Sequence, residues 1–236
     1  MNIFVLTGAG LSAESGLGTF RDKDGLWSRF DPMKLATPGA FARNPDEVHA
    51  FYNMRRKNLL SAEPNAAHRA LARLEAGLAG RGSLFLVTQN IDDLHERAGS
   101  QRVIHMHGEL LKARCTACGQ ASCWHEDLGA GDPCPHCGQT GTLRPAVVWF
   151  GEVPLHMDAI DDALAHADLF VSIGTSGSVY PAAGFVEQAK KLGIRTCEIN
   201  LEPSDNAWFF DETHYGPATQ AVPAWVEKVL AASGSS

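Results

Sequence analysis

The sequence predicts an α/β protein with a Rossmann-like, doubly wound parallel sheet, and two patterns indicate this fold. Short apolar runs recur along the chain, each bounded by turn residues, at Ile3–Leu6, Leu84–Val87, Leu169–Ile173 and Arg195–Ile199. Such near-continuous apolar runs are typical of strands that are buried on both faces of a parallel sheet. Helical periodicity separates the runs, at Ala66–Leu78, Ala182–Leu192 and Val222–Leu230. Strands that alternate with helices favour a doubly wound sheet.

The composition is that of an ordinary globular protein, with 236 residues, 44% hydrophobic and 20% charged. Its net charge of −7 argues against direct nucleic-acid binding, which usually needs a basic surface, but permits cationic partners such as lysine-bearing tails. No apolar run approaches the roughly 18 residues that a membrane helix requires. The first residues also lack the basic flank of a signal peptide. We therefore expect a cytoplasmic protein that does not contact membranes.

The first predicted strand runs into a glycine-rich turn, Gly8-Ala9-Gly10-Leu11-Ser12-Ala13. After a strand, this G-x-G-x-x-A spacing lets backbone N–H groups approach a pyrophosphate at a helix N-terminus. The fit to the ordinary dinucleotide fingerprint is incomplete. The acidic residue of that fingerprint follows about 20 residues later, where this chain is loop-like at 22–27.

Polar residues follow the other predicted strands as well, at Thr88–Asp92, Gly174–Gly177 and Asn200–Glu202. Ligands of open α/β sheets bind beyond the carboxyl ends of the strands, so four such ends indicate one nucleotide-sized crevice. In the alternative interpretation, each polar cluster only caps its own loop through Asn, Ser or Thr side chains.

The stretch Asp22–Leu60 is too long for a simple crossover and predicts a helical insertion. Asn44 as N-cap and Pro45 in the first turn mark the start of one helix. Its apolar stripe consists of Val48, Phe51, Tyr52, Arg55 and Leu59, whereas Arg56 and Lys57 lie off the stripe and are interpreted as solvated charges.

Arg55 interrupts this apolar stripe one turn from Tyr52, and a buried arginine needs an acceptor. Two interpretations stay open. In one, Arg55 forms a structural ion pair with a carboxylate of the core. In the other, Arg55 and the Tyr52 hydroxyl bind a carboxylate that arrives on a substrate, for which the planar guanidinium is well suited.

Two cysteine pairs, Cys115-x-x-Cys118 and Cys134-x-x-Cys137, are separated by 15 residues and predict a structural Zn²⁺ site. A glycine follows each pair and permits the tight turn of a zinc knuckle. Ligation by all four cysteines leaves no open position for catalysis. The alternative is a redox C-x-x-C motif, which two matched pairs make a poor fit. The other two cysteines, Cys123 and Cys197, are interpreted as thiols without a role.

Two histidines, His105 and His107, follow the apolar pair Val103-Ile104. In an extended segment they point to opposite sides, so only one of them can face the crevice. A neutral imidazole is suited to general-base catalysis near pH 7. Because Gly108 leaves the neighbouring ring unhindered, the sequence slightly favours His107 as the base. The alternative is that each histidine is a satisfied structural residue.

Together these motifs resemble those of the sirtuins, NAD-dependent protein lysine deacylases, and within them the bacterial CobB-type (class III) group. The resemblance extends from about Thr7 to Val226. The matching motifs are Gly8–Gly16, Thr19–Arg21, Gln89–Asp92, His107-Gly108, the four paired cysteines, Phe150–Glu152, Gly174–Ser176 and Asn200–Glu202.

The resemblance implies two domains with NAD bound between them. The Rossmann-like domain would comprise residues 1–30, 61–112 and 143–236, and the small domain the helical insertion 31–60 with the zinc module 113–142. The residues that match the family's NAD contacts are Gly8, Ala9, Gly10, Ala13, Phe20, Arg21, Trp27, Gln89, Asn90, Ile91, Asp92, Gly174, Thr175, Ser176, Asn200, Leu201, Glu202 and Ala218.

The resemblance also implies roles for single residues. His107 would be the catalytic base, Asn90 would place the ribose and water, and Asp92 would hold the nicotinamide amide. The acylated-lysine peptide would pair as a strand between Val147–Glu152 and Gly177–Tyr180. Its expected contacts are Val148, Phe150, Gly151, Glu152 and Val179, and Tyr52 and Arg55 match the pair with which class III sirtuins bind succinyl- and malonyl-lysine.

The implied reaction moves the acyl group from lysine to ADP-ribose and releases nicotinamide and 2′-O-acyl-ADP-ribose. Three alternatives stay open: mono-ADP-ribosylation of proteins from the same NAD site, deacetylation with Arg55 in a structural role, and an NAD-sensing or zinc-ribbon binding module. The acidic charge balance and the intact His107 and Asn90 argue against the binding module.

Overall fold

The computed structural model describes residues 1–18 and 32–233, which form two β-sheets with helices packed around them. The strands of the described residues are β1 (Asn2–Thr7), β2 (Ser83–Thr88), β3 (Val103–His105), β4 (Gly108–Cys115), β5 (Ala121–Cys123), β6 (Leu143–Val147), β7 (Leu169–Ile173), β8 (Arg195–Asn200) and β9 (Glu212–Tyr215). The large sheet has the order β3-β2-β1-β7-β8-β9 and is parallel throughout. The small sheet is antiparallel, with the order β5-β4-β6.

The predicted doubly wound α/β fold is confirmed, and the four predicted strands are present as β1, β2, β7 and β8. All but one end residue of β1 and of β7 are buried, which explains their unbroken apolar character. The chain runs outward from β1 to β2 and β3, then returns to β7 on the other side of β1. The strand order therefore reverses between β1 and β7, the position at which open α/β sheets bind their ligands.

The helices of the described residues are α1 (Ala9–Ser12), α2 (Pro32–Leu35), α3 (Pro38–Arg43), α4 (Pro45–Ser61), α5 (Ala66–Leu78), α6 (Leu94–Arg97), α7 (Met157–Ala165), α8 (Phe185–Lys191) and α9 (Ala218–Ser233). The predicted start of α4 is confirmed, since Asn44 Oδ1 accepts a hydrogen bond from the Glu47 N–H at 3.3 Å. Asn65 caps α5 in the same way, accepting from the N–H groups of Ala67 and His68.

Both faces of the large sheet are covered. Helices α5 and α9 enclose one apolar core with β1, β7 and β8, and α7 and α8 enclose another on the opposite face. In the second core, the Phe4 ring stacks on Phe85 and Phe170 with centroid distances of 5.6 and 5.7 Å. The two cores hold the sheet rigid, so the loops at its carboxyl edge have fixed origins.

The small sheet packs against α4, the helix predicted from Asn44 onward. Buried side chains of α2, α3, α4, β4 and β6 form a third core, which includes Tyr52, Leu110 and Trp149. A fourth and smaller core lies under the cysteine pairs and consists of Ala113, Cys115, Leu128, Cys134 and Leu143. Two of these five buried residues are predicted metal ligands, so the cysteine-rich segment has little apolar core of its own.

Two helix boundaries differ from the sequence prediction. The segment 182–192 divides into a 3₁₀ turn at Ala182–Gly184 and α8. Helix α9 begins at Ala218 rather than at Val222, because Ala218 and Ala221 pack against the first core. Proline disfavours helical backbone at the residue before it, so Pro223 conceals this extra turn in the sequence. Among the described residues, the helices are all too short or too polar to span a membrane.

Candidate active site

The loops that follow β1 and β7 meet at the carboxyl edge of the large sheet. The Gly10 N–H donates to the Gly174 carbonyl at 2.9 Å. A Cβ on Gly8 would lie only 2.7 Å from that carbonyl oxygen, and Gly174 itself has a φ of +63°. Both loops therefore need glycine, because a side chain on either would push them apart.

Asn90 and Asp92, on the loop after β2, are tied to the glycine turn through Ser12. The Asn90 side-chain amide donates to the Gly8 carbonyl and to Ser12 Oγ, each at 3.1 Å. Ser12 Oγ donates to Asp92 Oδ2 at 3.0 Å, and the Leu94 N–H donates to Asp92 Oδ1 at 3.2 Å. Burial raises the pKa of Asp92. These bonds fix both polar side chains at the edge where the nucleotide crevice was predicted.

Two buried polar residues behind Ser12, His68 and Asn65, were not predicted from the sequence. His68 Nδ1 lies 3.3 Å from the Asn65 N–H, which can only donate, so the ring proton is on Nε2 and points to Ser12 Oγ at 3.4 Å. Burial lowers the pKa of His68 to about 4, which keeps the ring neutral. Asn65 Nδ2 donates to the Leu11 carbonyl at 2.8 Å. The available signal was the Asn-x-x-His spacing at the start of α5, a variant of the capping box.

His107 has the tautomer that a general base requires. Its Nδ1 lies 3.0 Å from the Gln89 carbonyl oxygen, which can only accept. The proton of the neutral ring is therefore on Nδ1, and the lone pair is on Nε2. Burial lowers the pKa of His107, although the bond to Gln89 opposes this effect. The ring is thus neutral at pH 7 and can accept a proton at Nε2.

His105, two residues away, is in the opposite state. Its Nε2 lies 2.7 Å from Glu96 Oε1, and its Nδ1 lies 3.4 Å from the Asn90 carbonyl. Both partners accept hydrogen bonds, so both ring nitrogens carry protons. Burial lowers the pKa of His105, but the hydrogen bond and charge of Glu96, the charge of Glu109 and the bond to the Asn90 carbonyl together outweigh it, so the net pKa is raised. Glu96 thus favours the protonated form of His105, which cannot accept a proton, and this leaves His107 as the better candidate.

Tyr52 and Arg55 lie on the face of α4 that packs on the third core. Trp149 Nε1 donates to the Tyr52 hydroxyl oxygen at 2.9 Å and fixes its position. The Arg55 guanidinium lies 5.7 Å from the Phe51 ring centroid and 5.8 Å from that of Tyr52. Burial lowers the pKa of Arg55, while Tyr52 and the Asp92 carboxylate favour its charged form. Arg55 is therefore within electrostatic reach of the Asp92 loop.

The interpretation of Arg56 as a solvated charge is wrong. Its side chain is 1% exposed; Nε donates to the Leu110 carbonyl at 3.3 Å and Nη1 to Asn53 Oδ1 at 2.6 Å. Asn53 in turn accepts from the Leu128 N–H at 2.9 Å. Arg56 thus joins α4 to the small sheet and to the cysteine-rich segment, because α4 is covered on more than one side. The neighbouring Lys57 is exposed, as predicted.

Hydrogen bonds hold the segment after β6, residues 148–152, in place. The Val148 N–H donates to the His107 carbonyl at 2.8 Å, and the Phe150 N–H donates to the Ala36 carbonyl at 2.9 Å. Glu152 receives two hydrogen bonds from Arg144, at 2.6 and 2.9 Å, and one from the Trp149 N–H. Phe150 remains 41% exposed. The segment 148–152, beside which the peptide is predicted to pair, is therefore fixed by hydrogen bonds. Gly151 in this segment is also exposed.

The remaining predicted contact residues lie on the same four loops or near them. Asn200 Nδ2 donates to the Thr175 carbonyl at 2.8 Å, which joins the loops after β8 and β7. Ala218 begins α9 beside these loops. The others are Ala9, Ala13, Gln89, Ile91, Ser176, Val179, Leu201 and Glu202, all at least partly exposed. The predicted contacts Phe20, Arg21 and Trp27 lie outside the described residues.

The four paired cysteines converge on one point. Sγ atoms of Cys115 and Cys137 are 3.8 Å apart, as are those of Cys118 and Cys134, and all four lie within 4.8 Å of one another. Zn–S bonds of about 2.3 Å in a tetrahedron place sulfur atoms about 3.8 Å apart, so the cluster fits Zn²⁺. The knuckle glycines Gly119 and Gly138 have φ of +76° and +74°. The prediction of structural zinc agrees with this geometry.

Comparison with known proteins gives a consistent result. The model of the Sir2 family matches residues 8–181. A protein from Caulobacter vibrioides named NAD-dependent protein deacylase is 66% identical over 235 residues, with 98% of each chain covered.

Solved structures agree. A Sir2 homologue variant in complex with ADP-ribose superposes with a TM-score of 0.91 and 40% identity, covering 100% of this chain and 94% of the other. A Sir2 variant with a deacetylated p53 peptide and 3′-O-acetyl ADP-ribose superposes with a TM-score of 0.78 and 28% identity, again covering 100% and 94%.

Proposed function

Because the chain belongs to the Sir2 family, we infer that it is an NAD-dependent protein lysine deacylase, and we propose that succinyl- and malonyl-lysine are substrates beside acetyl-lysine. The observation that carries the acyl preference is the pairing of Tyr52 and Arg55 on α4, within electrostatic reach of the Asp92 loop. The products would be free lysine, nicotinamide and 2′-O-acyl-ADP-ribose.

The residues that would bind NAD are those of the four loops at the carboxyl edge of the large sheet. NAD would supply an electrophilic ribose carbon, from which nicotinamide leaves as the acyl oxygen attacks. In our proposal, Asn90 orients the ribose and water, and Asp92 binds the nicotinamide amide. Asn90 donates to Ser12 Oγ, and Asp92 accepts from Ser12 Oγ and from the Leu94 N–H. These hydrogen bonds support the two roles, because they leave each side chain little freedom.

His107 would accept a proton from a ribose hydroxyl at Nε2. The bond from Nδ1 to the Gln89 carbonyl and the lowered pKa support this role, because the ring is neutral and has its lone pair at Nε2. On the peptide side, the substrate backbone would add a strand between 147–152 and 177–180. Recognition through the main chain tolerates many sequences, which suits an enzyme that acts on several proteins.

Arg55 and Tyr52 would bind the terminal carboxylate of a succinyl or malonyl group. Arginine can bind a carboxylate with two parallel hydrogen bonds, and the Tyr52 hydroxyl can donate a third. Trp149 supports this geometry because its N–H occupies one lone pair of the Tyr52 oxygen. An acetyl group has no such carboxylate, so the pair would matter far less for acetyl-lysine.

The domain arrangement and location are part of the same proposal. NAD and acyl-lysine would meet between the Rossmann-like domain (1–30, 61–112 and 143–236) and the small domain (31–60 and 113–142). Six free cysteines, four of them a zinc cluster, suit a reducing compartment, and we propose the cytoplasm. The acidic charge balance supports protein substrates rather than nucleic acid.

The test is mass spectrometry of one peptide in acetyl- and succinyl-lysine forms, with and without NAD. We expect NAD-dependent loss of both groups with acyl-ADP-ribose appearing. Arg55→Met should lower kcat/KM for the succinyl form about 10- to 100-fold, the value of a hydrogen bond to a charged group, and change acetyl turnover much less. The control is Lys57→Met, an exposed charge on the same helix.

Each other outcome has a distinct meaning. Equal loss of acetyl and succinyl turnover in Arg55→Met would contradict a role in specificity. Loss of acetyl alone in the parent protein would make Arg55 a structural residue. ADP-ribose on protein without deacylated product would favour mono-ADP-ribosylation.

A further inference from the structure

A second group of metal-ligating side chains lies at the outer edge of the large sheet, whereas the cysteine pairs lie beside the small sheet. Cys197 is on β8, and Glu212 and His214 are on β9, the last strand. One ligand atom of each residue lies within 4.8 Å of the others. Neither the family motifs nor the proposed reaction uses any of the three.

The parallel register explains why these three side chains meet. Cys197 pairs with Glu212, and Ile199 pairs with His214. Alternate residues of a strand share a face, so Cys197, Glu212 and His214 all project to the same side of the sheet. Cys197 is fully buried, while the side chains of Glu212 and His214 are 60% and 23% exposed. The cluster therefore has a closed inner side and an open outer side through which an ion can enter.

We propose that Cys197, Glu212 and His214 form a second Zn²⁺ site that joins β9 to β8. A thiolate, an imidazole and a carboxylate are the three ligand types that zinc prefers, and a water molecule would complete the tetrahedron. Magnesium and calcium are a poor fit, because they need mostly oxygen ligands. His214 Nε2 now lies 2.7 Å from Glu212 Oε1. Zinc would separate them to about 3.4 Å, which needs a small rotation of the exposed Glu212 and the partly exposed His214 side chains.

The Cys197 thiol is poorly suited to a nucleophilic or redox role. Burial, together with the charges of Glu212 and Glu198, raises the pKa of the Cys197 thiol to about 12. A thiol in this state is neither a nucleophile nor readily oxidised. Zinc would change this, since the ion replaces the thiol proton, which passes to solvent as the Zn–S bond forms. The neighbouring Glu198 is on the opposite face, where it accepts from Tyr215 at 3.0 Å, so it is not a ligand.

Zinc at this position would stabilise the outer edge of the large sheet. Strand β9 has one neighbouring strand, and it leads into the turn at Gly216, whose N–H donates to the Asn200 carbonyl at 2.9 Å. The ion would add a second side-chain link between β9 and β8, on the face opposite to the hydrogen bond between Tyr215 and Glu198. We therefore expect zinc above one equivalent to raise the thermal midpoint of the folded protein, because it binds the native state alone.

The test uses the full chain with its cysteine pairs already filled by one equivalent of Zn²⁺ and with the exposed Cys123 replaced (Cys123→Ala). Equilibrium dialysis against Zn²⁺ should give two ions per chain. Addition of Co²⁺ instead should produce a thiolate-to-cobalt charge-transfer absorption. His214→Ala and Glu212→Gln should each weaken the second ion at least about 100-fold, since even indirect partners of a metal are worth 10- to 100-fold.

The controls separate this site from casual surface binding. His166→Ala removes an exposed histidine and should leave the second ion in place. Cys197→Ala should abolish the cobalt absorption; if it does not fold, His214→Ala and Glu212→Gln decide the question. A parent protein that binds one zinc only would overturn the proposal. Cobalt absorption that survives in both His214→Ala and Glu212→Gln would overturn it as well. The readouts are independent of deacylase activity.

Discussion

The two sheets of this protein are stabilised by different means. The large-sheet region (the six-stranded sheet with α5, α7, α8 and α9) has an apolar core on each face. The small-sheet region (the three-stranded sheet with α2, α3 and α4) has one core against α4, and beneath the cysteines only a five-residue core that includes Cys115 and Cys134. The first region can fold by burying apolar surface, whereas the cysteine-rich segment needs its metal.

The residues of the candidate site come from both regions. Asn90, Asp92 and His107 are held by hydrogen bonds at the edge of the large sheet. Tyr52 and Arg55 belong to α4, in the small-sheet region. The proposed chemistry therefore depends on the large-sheet region and the proposed acyl specificity on the small-sheet region.

Removal of zinc should have the largest effect. Structural zinc contributes on the order of 10 kcal/mol to the folding of small modules. A chelator, or the double change Cys134→Ala with Cys137→Ala, should therefore abolish hydrogen-exchange protection of amides in β4, β5 and β6. Amides of β1 and β7 should keep their protection. Equal loss in both sheets would show that the two regions fold as one unit.

Replacement of His107 should affect the chemistry and leave both regions folded. His107→Ala is expected to lower kcat for deacylation about 10²- to 10⁴-fold, the usual contribution of a general base. Hydrogen exchange in both sheets should be almost unchanged, because the ring makes one hydrogen bond to a backbone carbonyl. His166→Ala, at an exposed histidine, is the matched control. Full turnover in His107→Ala would exclude this base.

The sequence predicted the large-sheet region well and the small-sheet region less well. Strands buried on both faces leave unbroken apolar runs, so β1, β2, β7 and β8 could be read directly. The sequence pattern of α4 predicts one buried stripe and therefore places Arg56 in solvent. The helix is buried on a second side by segments that are distant in sequence. Likewise, the states of His105 and His107 depend on Glu96 and Gln89, partners that only the fold reveals.

Arg56 provides a smaller test, confined to the small-sheet region. Arg56→Met keeps the length of the side chain but removes the donors to Asn53 and to the Leu110 carbonyl. The expected loss is about 1–3 kcal/mol of unfolding free energy, the cost of leaving buried acceptors without a donor. The loss should lie towards the lower limit, because the buried Arg56 Nη2 has no hydrogen-bond partner among the described residues.

Denaturant unfolding followed by tryptophan fluorescence measures this effect, since two of the five tryptophans, Trp124 and Trp149, lie in the small-sheet region. Lys57→Met, on the same helix but exposed, should change stability by less than about 0.5 kcal/mol. Equal destabilisation by the two substitutions would mean that the buried hydrogen bonds of Arg56 contribute nothing specific.

The smallest expected effect is a dependence on pH that belongs to the large-sheet region. The pKa of His68 is about 4 in the folded state, against an ordinary value of 6.5, because the ring is buried. Between these values the unfolded chain binds more protons, so the contribution of His68 is complete above pH 6.5 and is lost as the pH falls towards 4. From pH 7 to pH 5.5 the loss should be about 1 kcal/mol.

His68→Gln isolates this effect, because glutamine does not titrate and can still complete the capping box at the third position of α5. Urea unfolding at pH 7 and pH 5.5 should show a pH-dependent loss smaller by about 1 kcal/mol than in the parent protein. His166→Gln, at an exposed histidine, should behave as the parent. If His68→Gln kept the full pH dependence, other buried histidines would be responsible. His95, which is fully buried against the His68 ring and whose pKa burial lowers well below its ordinary value, would then be the next to replace.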